Sequence, residues 1–537
     1  MAFTDEEREL LREFVSDPDV PVFIVKPGKM PGMVGAAFAR YSRSRGGFRE
    51  VLLREFIREG VLDAVHADAL IERILVEYGD DSVQELESAW LGLEGVSNLA
   101  TKVVEDRRLS GPIEQSTRYV FYDERDAEGR YRYLREPTIM ASRLGGRYEE
   151  VLDSIFTVYC GLIEPMKAYF EGRKPLETAE YDIRRDGHGK IAFTQCADEA
   201  ERKVFRAVWK TDIRTKACDT IRILLPAATL TNVGVHANGR TFEHMIRHLL
   251  SHELPEMQAL GARVKEALST VIRRYVQRAE VSPWIIGARE AMRRFASQLV
   301  ADSPTFTLGA TLHEGKYSVI GETAAMLFPE SEHSFQQLMD ALARGGPVDE
   351  IRREYLGHRQ NRRHHSGRAL EFGSRWLFEL VIDFGTFRDL HRHRMLTQQR
   401  QMLSTRLGYA PIPEELVEAG FEDRVRLCYD QSADLYEAIR TELGPVVAQY
   451  AVLFGFNLRA LFGFSNREAQ HLLELRTIPQ GHKSYRRLCQ DMYRQMLEHD
   501  PRVAQLCPFL DPNDYDWPRA DAAAREAAKL EKLGGSQ

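Results

Sequence analysis

The densest basic cluster in the chain is His391-Arg392-His393-Arg394. Two arginines flanking a histidine can grip anionic oxygens and stack on a flat aromatic ring. The same run also suits a solvated helix end, where cations complement the dipole. More informative is the loop SGPIEQSTRY, Ser110–Tyr119. Its Gly-Pro turn, the hydroxyls of Ser116 and Thr117, and Arg118 offer several donors to one anion, as a nucleotide phosphate needs. A capped turn before a strand is the plainer use of such a loop. Two further segments place Arg-x-x-x-His on one helix face, Arg240/His244 and Arg467/His471. His364, His365, His391 and His393 could be read as metal ligands, but few carboxylates sit at ligand spacing nearby, and no metal is expected.

These groups need elements to hold them. Thr4 with Glu7 forms a capping box that opens a short helix ended by PDVPV. Helical spacing dominates Phe48–Ile57, Ala67–Tyr78 and Arg147–Phe170. Strand-like runs are Ser88–Leu93, Arg118–Tyr122 and Tyr131–Leu134, then Arg375–Ile382. The stretch 173–198 reads as a surface insertion, and the charged, Ala-rich tail 518–537 as a frayed helix. In RTIPQGHKSYRR (Arg476–Arg487), Pro479 is expected to start a helix with His482 and Arg486 on one face.

At 537 residues the chain exceeds one typical core. A hydrophobic fraction of 43% and a charged fraction of 28% are those of a soluble globular protein. The net charge of -7 argues against general nucleic-acid binding. Any anionic ligand must therefore meet a local arginine cluster. Six dispersed cysteines without a CxxC pair read as free thiols of a reducing cytoplasm. The start, MAFTDEEREL, lacks signal-peptide character, and the best apolar run, AVLFGFNLRALFGF, is too short to span a membrane and carries an arginine.

A weak internal repeat is visible. Glu85 and Glu371 each precede an alternating apolar segment and a helix start. After the same interval come Asp106-Arg107-Arg108 and Arg392-His393-Arg394. Each triplet is followed by a Ser-Thr-Arg loop, Ser116–Arg118 and Ser404–Arg406, and later by the Arg-x-x-x-His helix. Three landmarks in one order indicate a duplication. The expected division is 1–325, 326–517 and the tail.

The segment Gly79–Tyr119 resembles the signature region of the flavin-dependent thymidylate synthases: a Ser-Val-x-Glu-His element, an aromatic strand, a Gly-Val-Ser helix start, an Arg-His-Arg triplet and a Ser-x-Arg-Tyr close. Arg222–Leu250 is similar to the family's Arg-x-x-Leu-Pro strand-and-turn with its Asn-Ala-Arg helix, and Ser465–Arg476 matches that helix through its final arginine. The first copy keeps Glu114, Ser116, Arg118 and Arg222, which match family residues that hold the nucleotide's base and phosphate. Its triplet is altered, its signature histidine is Leu86, and its last helix arginine is Leu249. The second copy keeps Arg392, His393, Arg394, Arg467, His471 and Arg476, yet has Gln449 where the first has Arg222. The retained sets are nearly complementary.

The resemblance implies an α+β fold of two tandem thymidylate synthase-complementing-like repeats, each helix-rich around a small mixed sheet. It implies FAD as cofactor, dUMP, methylenetetrahydrofolate and NADPH as reactants, and a homodimer mimicking the family's tetramer. The family's site lies between subunits, so a fused pair need retain each half-site once. The expected composite site has Arg392 and Arg476 as catalytic residues. Glu114, Ser116, Thr117, Arg118 and Arg222 join those two arginines on the substrate. His393, Arg394, Asn238, Arg240, His244, Arg467 and His471 are expected at the cofactor. The mirror site of Ser404, Arg406 and Arg107 is expected not to work. Rival readings are a flavoenzyme acting on another pyrimidine nucleotide, a non-catalytic nucleotide- or flavin-binding protein, and a metal-dependent hydrolase using the histidines.

Overall fold

The computed structural model describes residues 3–30, 33–42, 44–57, 84–184, 189–299, 305–364 and 366–517. The expected helix Ala67–Tyr78, the start of the signature segment (79–83), His365 and the tail 518–537 lie outside the described residues. Strand β1 (Ser88–Ser97) leads into helix α1 (Asn98–Val104) and strand β2 (Ser110–Glu114). Two long helices follow, α2 (Gly145–Arg173) and α3 (Glu199–Ile221). After them come β3 (Leu230–Asn238), α4 (Gly239–Leu250) and α5 (Pro255–Ser269). In the second half, β4 (Gly309–Tyr317) precedes β5 (Ser374–Asp383), α6 (Phe384–Leu390) and β6 (Thr397–Arg400). Helix α7 (Glu422–Leu443), β7 (Asn457–Phe464), α8 (Asn466–Arg476) and α9 (Lys483–His499) complete it. From β1 and from β5 onward the two halves run in the same order, except that the first has two long helices, α2 and α3, where the second has only α7.

The compact units do not follow the expected cut at 325. One contains Met1–Gln115 and Leu230–Ser303; the other contains Ser116–Thr229 and Pro304–Gln537. The middle of the first repeat therefore packs with the whole of the second.

In the first unit the sheet order is β1-β3-β2, antiparallel throughout. The loop read from SGPIE is strand β2; Pro112 is tolerated because β2 is an edge strand. Ser97 caps α1 and Asn238 caps α4, each accepting from a backbone N–H three residues on.

The second unit carries the antiparallel order β4-β5-β7-β6. All the pairings in both sheets are antiparallel, which corrects the expected mixed sheet. The apolar run flagged as a possible membrane span is β7 and the turn before it, and among the described residues no helix is long and apolar enough to cross a membrane. Two expected strands are absent. At Arg118–Tyr122 the Ser116 hydroxyl accepts from the Arg118 N–H, and Ser116 O from the N–H groups of Tyr119 and Val120, giving a turn. Tyr131–Leu134 makes only isolated bridges. Within the stretch 173–198, Glu180–Tyr181 pairs antiparallel with Ile191–Ala192, and Tyr181 and Cys196 close a core cluster with Phe205 and Val208 of α3.

Pro226 and Leu453, equivalent when Arg222 is aligned with Gln449, form an antiparallel bridge with each other. Ala227 N donates to Val452 O at 2.8 Å and Phe454 N to Leu225 O at 2.9 Å. The two bonds exchange equivalent residues, so the repeats meet here across a local twofold.

Candidate active site

Ser116 turns the chain so that Thr117 and Arg118 face inward, and both are buried. Arg118 makes a bidentate pair with Asp219 of α3, Nε to Oδ1 at 2.7 Å and Nη2 to Oδ2 at 2.9 Å. Its third donor, Nη1, reaches the hydroxyl of Tyr485 on α9 at 3.1 Å. The Arg118 guanidinium lies 5.5 Å from the Tyr485 ring centroid, and that of Arg476, the last residue of α8, lies 5.4 Å from it. One aromatic ring thus brackets an arginine from each repeat.

Arg222, buried at the end of α3, donates through Nη2 to Asp389 Oδ2 on α6 at 3.2 Å. Burial would raise the Asp389 carboxyl, but the charges of Arg222, Arg118 and Arg476 outweigh it and hold it low. Asp219 is likewise held low, its burial overcome by Arg118. Arg388 Nη1 donates to Thr117 Oγ1 at 3.1 Å. Arg476 Nε donates to His393 Nε2 at 2.7 Å. His482 caps α9, accepting from Ser484 N at 3.2 Å, and burial and Arg222 push its pKa down to about 3. Among the described residues of this unit, three arginines thus surround two carboxylates with neutral histidines beside them.

Over residues 30–272 and again over 313–502 the chain matches the family described as thymidylate synthase complementing protein. The chain belongs to the thymidylate synthase complementing family. A UPF0159 protein of Chlamydia muridarum is 34% identical over 98% of this chain and 99% of its own length. One of Thermoplasma acidophilum is 29% identical over 92% and 98%. Among solved structures, the UMP/dUMP methylase PolB from Streptomyces cacaoi bound with 5-Br dUMP is similar at 15% identity, covering 38% of this chain and 97% of that one, with a TM-score of 0.30. The flavin dependent thymidylate synthase ThyX from Helicobacter pylori complexed with FAD and dUMP is similar at 17% identity, 37% and 100% coverage, and a TM-score of 0.28.

Of the residues expected from the family pattern, the second unit brings together Thr117, Arg118, Arg222, His393 and Arg476, with Ser116 shaping their loop. Arg392 and Arg394 are exposed at the turn after α6, and the His471 ring lies 5.3 Å from that of His393. Arg467 pairs with Glu371 and donates to Ser366 O.

Glu114, Asn238, Arg240 and His244 belong to the first unit. Glu114 is fully buried there: Thr101 donates to one oxygen at 3.1 Å and Lys102 to the other at 3.1 Å, while Lys102 also pairs with Glu105. The expected base-binding carboxylate thus has both oxygens engaged in a buried ion triad. Asn238 is a helix cap, and His244 is exposed. Arg240 pairs with Glu85 at 2.7 Å, the counterpart of the Arg467–Glu371 pair in the other repeat.

At the twofold-related place Gln449 spends its amide on Leu403 N and Val446 O, and Arg406 stands exposed 3.8 Å from Glu437. Pro479 precedes the helix, which starts at Lys483 with His482 as its cap, and Arg486, one turn on, serves Thr477 O and Asn513 O. Sequence reasoning missed Asp219, Asp389, Arg388 and Tyr485. Their one available signal was position, since Asp389 stands where the first repeat has Val103.

Proposed function

We propose that the second unit holds a nucleotide site built from both repeats, and that the chain carries out flavin-dependent reductive methylation of dUMP to dTMP with methylenetetrahydrofolate and NADPH. The observation that carries this reading is the convergence of Arg118 and Arg222 with Arg476 around Asp389 and Tyr485. Such a cluster suits a phosphate and an electron-poor ring. The guanidiniums fix the nucleotide by charge-assisted bonds and stabilise negative charge that develops on the ring carbonyls.

The donor set beside this cluster fits a flavin dinucleotide. The exposed Arg392 and Arg394 flank His393, whose ring lies 5.3 Å from that of His471, and the two arginines are suited to a diphosphate. His393, Arg394, Arg467 and His471 would hold FAD, which supplies the hydride when bound. Arg392 would stand between cofactor and substrate. A homodimer would then mimic the family's tetramer.

A non-catalytic nucleotide binder is favoured by one feature: Arg118 and Arg222 already engage carboxylates, and Glu114 is sealed by Lys102. Tritium release from C5-labelled dUMP by the flavin-loaded protein separates the two. Release above background supports the synthase; tight dUMP binding without release supports the binder.

A further inference from the structure

His393 is the buried link between the turn after α6 and Arg476 of α8; its side chain is 2% exposed. Its Nε2 accepts from Arg476 Nε at 2.7 Å. A guanidinium has donors only, so Nε2 is the nitrogen without a proton. Burial first, then the charges of Arg476 and His471, hold this imidazole well below its ordinary pKa, so it is neutral. Its single proton is therefore on Nδ1. That atom is buried and has no hydrogen-bond partner, while Glu468 Oε1 lies 3.4 Å away. At that separation a small rotation of either side chain aligns the Nδ1–H with the carboxylate oxygen.

We propose that Glu468 is a positioning residue, whose carboxylate receives the Nδ1–H of His393 and so fixes the tautomer that presents Nε2 to Arg476. Glu468 and Arg476 lie eight residues apart on α8, just over two turns, so one rigid element carries both groups that the imidazole joins. The first repeat has Thr241, Arg107 and Leu249 at the three equivalent places. Acid, imidazole and arginine are all lost there together, as a coupled set should be.

Glu468 is faced by Arg467, Glu371 and His393. Burial raises its pKa to about 7, Arg467 opposes and Glu371 adds to the rise. Above about pH 7 the group is a carboxylate and the strongest acceptor for Nδ1–H; below it, the grip on the tautomer loosens. The consequence for ligand rests on the reading of Arg476 as a substrate contact.

The test uses the full chain labelled with 15N-histidine, the His393 signals being identified by their loss in His393→Asn. At pH 8 the wild type is expected to show a protonated Nδ1 and an unprotonated Nε2, and to drift toward a tautomer mixture by pH 6. Glu468→Gln, whose amide oxygen still accepts, keeps the Nδ1–H tautomer and removes the pH drift. Glu468→Leu leaves Arg476 alone to select the tautomer, so an Nε2–H fraction appears at every pH and dUMP binding weakens about tenfold. A protonated Nε2 in the wild type, or an unchanged His393 pattern in a folded Glu468→Leu, overturns the proposal. The tautomer needs no ligand, so absence of dUMP binding to every form would count against the proposed function alone.

Discussion

Arg118, from the first repeat, donates to the Tyr485 hydroxyl, from the second, at 3.1 Å, and the same ring lies beneath Arg476. The arginine would otherwise have a third donor facing a buried, low-dielectric cluster. Tyr485 therefore spaces two cations that would repel each other and leaves both aimed at one place.

Tyr485→Phe keeps the ring and removes only the acceptor. The expected loss is about 1 kcal/mol of dUMP affinity, roughly fivefold, with the melting temperature little changed. Titration calorimetry checks it; an unchanged affinity would show that the hydroxyl does not orient Arg118.

Arg118 and Asp219 are 9% and 12% exposed in their side chains and paired through two bonds. Arg118→Ala leaves Asp219 buried without its partner and should cost about 3 kcal/mol of stability. Adding Asp219→Asn should restore most of that loss without restoring ligand binding. Urea melts of the single and double variants separate the structural part from the functional part.

The Glu105–Lys102–Glu114 triad makes a contrasting case, since all three side chains are within 2% of complete burial. Glu114→Leu is expected to destabilise the fold by about 1–3 kcal/mol, because Thr101 and Lys102 lose a buried acceptor while Lys102 keeps its pair with Glu105. If Glu114 instead loses dUMP affinity with no change in stability, its assignment as a structural carboxylate in the first unit is wrong.

Glu87, 6% exposed and accepting from Gly35 N at 3.2 Å, has its pKa raised by burial to about 7 from 4.5. Such a group holds its proton longer in the folded chain. Stability therefore falls as pH rises from about 4.5 to about 7 and is flat above. The size is about 3 kcal/mol at full ionisation. Glu87→Gln should be more stable than the wild type at pH 8 and equal to it near pH 4, which chemical denaturation at the two pH values will show.

Much of this was legible in the residues. The duplication, the strands β1 and β5 and the helix α2 follow from spacing, whereas Arg118, Arg222 and Arg476 were picked out together by the resemblance to the synthase signature. The strands β2 and β6 do not follow from spacing, since SGPIE carries turn residues and TQQR has no apolar face. Asp219 and Asp389 were hidden because a lone acid in a helix looks like any solvated charge until its arginine arrives from the other repeat. The exchange of residues 116–229 into the second unit has no local signal at all. It is a property of which surfaces pair, as at Pro226 and Leu453.

The convergence of two repeats on one anion is tested most directly by counting dUMP sites. Calorimetric titration of the full chain, alone and as Arg118→Ala and Arg476→Ala, should give one site per chain, lost by a hundredfold or more in each variant. Two sites per chain, or one variant that keeps wild-type affinity while folded, would contradict a shared site.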